Sequence, residues 1–467
     1  MRNHVNKIHF VGVGGSGMSG IAEVLVNLKY RVSGSDIAES LVTQRLRKAG
    51  IEVVIGHHVD NIQDCDVVVV SSAIDPSNPE VSGAIEMGVP VIPRAEMLGE
   101  LMRFQTGIAV AGTHGKTTTT SLVAAILIAG EFDPTFVVGG LINSAGANAK
   151  LGEGEYLVAE ADESDASFLN LKPQMAVVTN IDEDHMITYQ GDLDTLKKTF
   201  IAFLQNLPFY GLAVLCADEQ NIESIRSEIH KPVVTYGEHE GADFRAVDLQ
   251  QLGSKMTFTA LRPSQNSDLN VELALPGKHN VLNALAAIAI ATHLGVDDQA
   301  IVNGLREFQG IGRRFEILGD VEIDGRSVTI VDDYAHHPVE LEATLNAARG
   351  CWPDRRLVAV FQPHRYSRTS DLFDDFVQVL AQQHDLLICE VYAAGEVPIS
   401  GATGGALCQA IRVRGTSNPI FVPEVNELQA VLSPLIEDGD VILTMGAGSI
   451  GKASQNLYTA LMSGCDS

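Results

Sequence analysis

The stretch that decides the fold is Gly107-Ile108-Ala109-Val110-Ala111-Gly112-Thr113-His114-Gly115-Lys116-Thr117-Thr118-Thr119-Thr120. An apolar run, Ile108 to Ala111, stops at a glycine, and a helix-competent segment, Ser121 to Ala129, follows the threonines. The pattern predicts a strand, a tight turn and a helix. Unpaired N–H groups at the helix start, together with the positive end of its dipole, make a seat for phosphate oxygens. Glycine lets the backbone approach, Lys116 can reach terminal phosphates, and the Thr117 hydroxyl can ligate Mg²⁺. The common nucleotide loop would place its first glycine where Val110 stands; this loop opens at Gly112 and is shorter.

Downstream, the apolar strand Tyr156 to Ala159 delivers Glu160, Asp162, Glu163 and Asp165 at its C-terminal end, where ligands sit in open α/β sheets. A carboxylate beside a phosphate loop suits a Mg²⁺ ion that bridges ATP phosphates. Glu160, nearest the strand, is the expected ligand; the other three read as solvated or helix-capping acids. A further strand, Met175 to Thr179, ends in Asn180-Ile181-Asp182-Glu183-Asp184-His185, which gives His185 a metal or phosphate role. Short alternating stretches between Asp243 and Leu275 predict antiparallel hairpins. Asn280 and Asn283 then share one face of a predicted helix. Their amides can read a base edge, although from the residues alone a helix N-cap with a polar neighbour explains them better.

Upstream, the strand Lys7 to Val11 runs into Gly12-x-Gly14-x-x-Gly17, and Asp36 closes a second strand. The glycine pattern and the acid fit a dinucleotide, and equally any diphosphate attached to a nucleoside. Beyond the linker Gly310-Ile311-Gly312, strands Val328 to Val331 and Leu357 to Phe361 end in Asp332-Asp333-Tyr334-Ala335-His336-His337-Pro338 and Gln362-Pro363-His364-Arg365-Tyr366-Ser367-Arg368. Later, Gly446-Ala447-Gly448-Ser449 is a tight turn or a ligand loop.

Composition bounds these readings. The 467 residues suggest about three domains of ~150 residues. With 32 basic against 59 acidic side chains the formal charge is −27, which argues against nucleic acid or an anionic membrane as partner. Cys65, Cys216, Cys351, Cys389, Cys408 and Cys465 show no C-x-x-C pairing, so a reducing, cytoplasmic setting is expected. No signal-peptide pattern opens the chain, and no apolar run approaches the ~20 residues of a membrane span.

Gly112 to Thr117 with Glu160, the Asp182 to His185 segment, Asn280 and Asn283, Arg314, and Asp332 to His336 resemble, in order, the motifs of the Mur ligases, which build the peptidoglycan peptide with ATP. The match spans essentially the whole chain. Gly12 to Gly20 and Phe361 to Arg368 are most similar to the members that act on UDP-N-acetylmuramate and L-alanine.

The resemblance implies an α/β fold of three domains: a Rossmann-like domain for the UDP-sugar (1–106), a central P-loop ATPase domain (107–311) and a Rossmann-like domain for the amino acid (312–467). ATP and Mg²⁺ are implied as co-substrate and cofactor, and UDP-N-acetylmuramate and L-alanine as substrates. ATP would be held by Gly112, Thr113, His114, Gly115, Lys116, Thr117 and Thr118. Asn280 and Asn283 would recognise adenine, Arg314 the terminal phosphate region and Asp332 the ribose. One Mg²⁺ would fall to Thr117 and Glu160 and a second to His185. Gly14, Gly17, Asp36, Ser71 and Arg94 would serve the UDP-sugar; Tyr334, His336, Arg365 and Arg368 would receive alanine. Lys116, Glu160, His185 and His336 are the expected catalytic groups, with His336 as base. The family often carries an acid where Ile187 stands, so that position receives no role. Phe200 occupies the place of a carbamoylated lysine of several relatives, and Lys197 and Lys198 are offset, so no lysine carbamate is expected. Within the family, a ligase for a preformed tripeptide is the alternative. Outside it, a nicotinamide-dependent dehydrogenase with an extra ATPase domain lacks any identifiable hydride-transfer site. A non-catalytic nucleotide-binding regulator would have less use for Lys116, Thr117, Glu160 and His185. Monomer and homodimer both fit the sequence.

Overall fold

The computed structural model describes residues 5–71, 73–143, 147–263, 267–323, 325–415 and 417–463. Cys465, named above, lies outside them. The architecture is α/β, in three sheets.

The first sheet holds β1 (Lys7–Val11), β2 (Arg31–Asp36), β3 (Glu52–Ile55), β4 (Val67–Val70) and β5 (Val91–Pro93) in the order β3-β2-β1-β4-β5. Every described pairing in it is parallel. The second is built around β6 (Thr106–Ala111), with β7 (Thr135–Ile142), β8 (Ala147–Lys150), β9 (Tyr156–Glu160), β10 (Met175–Val178), β11 (Leu212–Cys216), β12 (Val233–Gly237), β13 (Phe244–Leu252), β14 (Lys255–Leu261) and β15 (Leu269–Leu273). Its order is β15-β14-β13-β12-β11-β10-β6-β9-β7-β8, so β6 lies inside it, paired in parallel with β10 and β9. Ile108 to Ala111 are wholly buried there, as an apolar run covered on both faces must be.

The third sheet contains β16 (Glu316–Ile323), β17 (Arg326–Asp333), β18 (Leu357–Phe361), β19 (Asp385–Cys389), β20 (Ile420–Val422) and β21 (Val441–Met445), ordered β16-β17-β21-β18-β19-β20. Its apolar strands feed two cores alternately. Ala359 and Phe361 of β18 with Val441 and Leu443 of β21 face one cluster. Val358, Val360 and Ile442 face the other. This is the period of two expected of a sheet buried on both sides.

Contacts divide the chain into two compact units. One is Met1–Asp248 with Phe258–Val271 and Leu282–Phe308; the other is Leu249–Thr257 with Glu272–Val281 and Gln309–Ser467. The five described cysteines are free and buried. Among the described residues no helix is long and apolar enough to cross a membrane.

Candidate active site

The helix Lys116–Ala129 begins directly after the loop, with Gly115 as its N-cap in left-handed conformation, φ 82°. Gly112 also has positive φ, 131°, and a Cβ there would collide with Thr179 Oγ1. At Gly115 a Cβ would stand 2.5 Å from Asn283 Oδ1. Glycine is therefore required at both positions by conformation and by space. Threonine is a weak helix former, yet the hydroxyls of Thr120 and Ser121 bond the carbonyls of Lys116 and Thr117, each at 2.8 Å, and hold the first turns.

The loop is laced to the segment after β10. Asn180 grips the backbone of His114 from both sides: its Oδ1 accepts from His114 N at 2.7 Å and its Nδ2 donates to His114 O at 3.0 Å. Thr179 Oγ1 donates to the same carbonyl at 2.6 Å, and Asp182 N donates to Thr113 Oγ1 at 2.9 Å. His114 Nε2 lies 3.4 Å from Asp182 Oδ2. His185 has positive φ, 55°, and its ring lies 3.5 Å from Asp184 Oδ2. Strained non-glycine backbone of this kind collects at functional sites.

Lys116 Nζ spends its donors on Gly112 O (2.7 Å), Thr113 O (3.0 Å) and Glu163, whose nearer oxygen is 2.8 Å away. Glu163 is 2 % exposed, and Tyr189 OH donates to its backbone carbonyl. The expectation of a solvated or capping Glu163 is overturned: it is the buried counter-charge of the loop lysine. Burial disfavours the Lys116 charge, but Glu163, Asp162 and Glu160 outweigh it and raise the ammonium's pKa. Burial also pushes Glu163 up, to about 7, against the pull of Lys116. The two shifts favour opposite forms of the pair. The ion pair prevails, since at this separation each charge is the other's chief compensation.

Glu160, at the end of β9, accepts from Gly139 N at 2.8 Å. It also lines a cleft of about 300 Å³ with Gly15, Gly17, Ser71, Arg94 and Asp162. The cleft thus brings three of the residues expected to serve a UDP-sugar together with the expected Mg²⁺ ligand. Arg94 leans over Gly17, where a Cβ would stand 2.7 Å from its Nη1, and reaches Asp162 at 3.4 Å. Gly14 N donates to Asp36 Oδ2 at 2.8 Å, so the acid that closes β2 also fixes the glycine turn.

Asn283 Oδ1 accepts from Thr119 Oγ1 at 3.1 Å, which ties the helix Lys278–His293 to the phosphate-loop helix. Asn280 lies inside that helix, not at its N-cap, and its Nδ2 donates to Pro276 O at 2.7 Å. Phe200 is fully buried against Phe168, with ring centroids 5.2 Å apart, while Ile187 is 80 % exposed.

The second unit carries its own cluster. His337 caps the helix Pro338–Cys351. Tyr334 lies under the guanidinium groups of Arg313 and Arg314, 5.0 and 5.1 Å from its ring centroid. His336 Nδ1 is 3.0 Å from Tyr334 O, and its ring meets His364 at 5.9 Å. His364 stacks on Tyr392. Burial, then the neighbouring His336, Arg368 and Arg365, lower the His364 pKa to about 3. Arg368 is buried; Arg365 has φ 69° and lies 3.8 Å from Glu396, which also accepts from Ser367 N and Oγ. Asp332 has no exposed surface: one oxygen takes Arg313 Nε at 3.0 Å and the other Thr444 Oγ1 at 2.9 Å. Tyr392 carries no motif signal, and only the register of β18 beside β19 could have pointed to it.

Family models agree with this organisation. The Mur ligase family catalytic domain matches residues 7–106, the Mur ligase middle domain 110–291, and the Mur ligase glutamate ligase domain 313–448. The chain belongs to the Mur ligase family, whose members are ATP-dependent amide ligases of peptidoglycan synthesis and generally use Mg²⁺. It is similar to the UDP-N-acetylmuramate–alanine ligase of Thermotoga maritima, with 30 % identity over 98 % of this chain and 99 % of that one and a TM-score of 0.83. A murein peptide ligase from Psychrobacter arcticus is 26 % identical over 98 % of both chains, TM-score 0.71. The UDP-N-acetylmuramate:L-alanyl-γ-D-glutamyl-meso-diaminopimelate ligase of Neisseria meningitidis is 28 % identical over 66 % of this chain and all of that one, TM-score 0.60.

Proposed function

We propose that this protein joins L-alanine to the lactyl carboxylate of UDP-N-acetylmuramate, with ATP converted to ADP and phosphate, in the cytoplasm. The observation that carries the reading is the cleft in which Gly17, Ser71 and Arg94 meet Glu160, because it sets residues expected for a sugar nucleotide beside an expected Mg²⁺ ligand. A carboxylate does not condense with an amine in water. Its oxygen therefore attacks the γ-phosphorus of ATP, the bond to ADP breaks, and an acyl phosphate forms. The alanine amine, after losing a proton, adds to the acyl carbon, and the tetrahedral adduct expels phosphate.

Phosphoryl transfer asks for positioning and charge neutralisation more than covalent help. Lys116 would supply charge at the β- and γ-phosphates, and the N–H groups of the loop and helix start would hold their oxygens. Thr117 and Glu160 offer the oxygen donors that one Mg²⁺ prefers, and His185 would hold a second. When bound, the ions neutralise charge building on the phosphates. Asn280 and Asn283 would meet the adenine and Arg314 the terminal phosphate region. Asp332, which already accepts from Arg313 and Thr444, would meet the ribose through its remaining lone pairs. Tyr334, Arg365 and Arg368 would orient alanine, a carboxylate pairing bidentately with arginine, and His336 would take the proton. On this reading the working divisions are 1–106, 107–311 and 312–467.

The test is phosphate release from MgATP with UDP-N-acetylmuramate, adding L-alanine, L-serine, glycine or the tripeptide separately. Release that requires both the sugar and L-alanine supports the proposal. Release with the tripeptide alone would make this the peptide-adding ligase, a reading favoured by its likeness to the two peptide ligases. The base assignment has its own test: if His336→Ala weakens alanine binding but leaves single-turnover amide formation unchanged, another group takes the proton.

A further inference from the structure

Resting on the ATP-ligase reading, we propose that Glu163 is a positioning residue that competes with nucleotide phosphate for Lys116, so that it opposes tight product binding and promotes ADP release. Nothing in the phosphoryl-transfer chemistry calls for a carboxylate on the loop lysine. Yet Glu163 is almost completely buried, and both of its oxygens lie within 3.0 Å of Lys116 Nζ. The remaining donors of the ammonium go to Gly112 O and Thr113 O, the carbonyls of the loop itself. Its three described partners thus match the three donors of an ammonium, so a phosphate oxygen gains the lysine only by displacing one of them. The carboxylate shares the phosphate's negative charge and is the partner that gives way to it; when phosphate leaves, Glu163 takes the lysine back.

Glu163 is also held from behind. Its carbonyl accepts from Tyr189 OH, and Tyr189 is itself only 2 % exposed. That bond fixes the Glu163 backbone beside the loop, so the carboxylate starts from one anchored position. Either Lys116 bonds the carboxylate or it bonds the nucleotide. Moving a compensated charge out of a buried pair has a cost, and that cost is subtracted from nucleotide affinity. Asp162 and Glu160 act on Lys116 more remotely, since neither forms a hydrogen bond with it among those described. They therefore supply field but no direct competition.

The experiment compares the full-length protein with Glu163→Gln, which keeps shape and removes charge, and Glu163→Asp, which keeps charge on a shorter stem. ADP and ATP affinities are measured by displacement of a fluorescent nucleotide, ADP dissociation by stopped flow, and folding by Tm. Glu163→Gln is expected to bind ADP on the order of 10-fold more tightly, a difference of about 1.4 kcal/mol. Slower ADP dissociation should accompany this, with KM for ATP and kcat falling together. Glu163→Asp should lie between the variant and the wild type. Unchanged or weaker ADP binding by a folded Glu163→Gln protein would overturn the competition, since a purely structural role would lower Tm without tightening ADP. Absence of nucleotide binding by the wild-type protein would instead refute the ATP reading, and the inference would fall with it.

Discussion

A carboxylate sealed from solvent persists only where its oxygens are filled, and Glu80 meets that condition without any part in the chemistry. It has no exposed surface. Ser35 Oγ donates to it at 2.5 Å and Asn61 Nδ2 at 2.6 Å, while His57 Nδ1 lies 2.9 Å away and His9 Nε2 3.6 Å away. Burial alone would raise its pKa; His9, Ser35 and Asn61 together override that and lower it from 4.5 to about 2. A depressed carboxyl stabilises the fold above its unfolded pKa. That stability is lost as pH falls from about 4.5 through about 2. Glu80→Gln should therefore cost on the order of 3 kcal/mol at neutral pH, and the gap from wild type should close across that acid window. Urea titrations at several pH values read it directly, and a gap that stays constant down to pH 2 would assign the stabilisation to packing. The consequence reaches the cleft, because Ser35 O accepts from Gly12 N and Val13 N at the glycine turn.

At the scale of the element, the phosphate loop owes its shape to a neighbour. Asn180 makes two hydrogen bonds to the His114 backbone, each contributing ~0.5–1.5 kcal/mol net. Asn180→Ala should raise KM for ATP on the order of 10-fold and lower stability by about 1–3 kcal/mol, on the same scale. A large Tm loss with unchanged KM would show that the clamp serves the fold and not the loop. The sequence made the strand, turn and helix around the loop legible, since a buried apolar run that stops at glycine before a helix-competent segment leaves few alternatives. It also located β4, β15 and β18 to the residue, where apolar runs or strict alternation stand out. The short, half-exposed edge strands β3 and β20 escaped notice, as did β16, which pairs antiparallel through a bulge at Ile317 and Gly319. Edge strands bury too little to carry a pattern. Glu163 was misread for a different reason. Four acids come in quick succession from the end of β9 onward, and only the fold shows which of them turns inward to meet Lys116.

For the whole molecule, the proposed division of labour predicts where each ligand stabilises. Every residue lining the cleft, from Gly15 to Asp162, belongs to the first unit, whereas Tyr334, His336, Arg365 and Arg368 belong to the second. A ligand that binds only the folded form stabilises it by about 2.7 kcal/mol at one hundred times its Kd. UDP-N-acetylmuramate alone should therefore slow hydrogen exchange around β1, β4 and β9 and leave β17, β18 and β21 at their unliganded rates. L-Alanine is too small to contribute much by itself, but any protection it gives should fall on the second group. Peptide-level hydrogen exchange at matched saturation distinguishes the outcomes. Protection confined to the first unit would support the assignment of the UDP-sugar to the cleft. Equal protection of both units by the sugar nucleotide would mean that its site is completed by residues beyond those of the cleft, and the division at residues 1–106 and 312–467 would have to be redrawn.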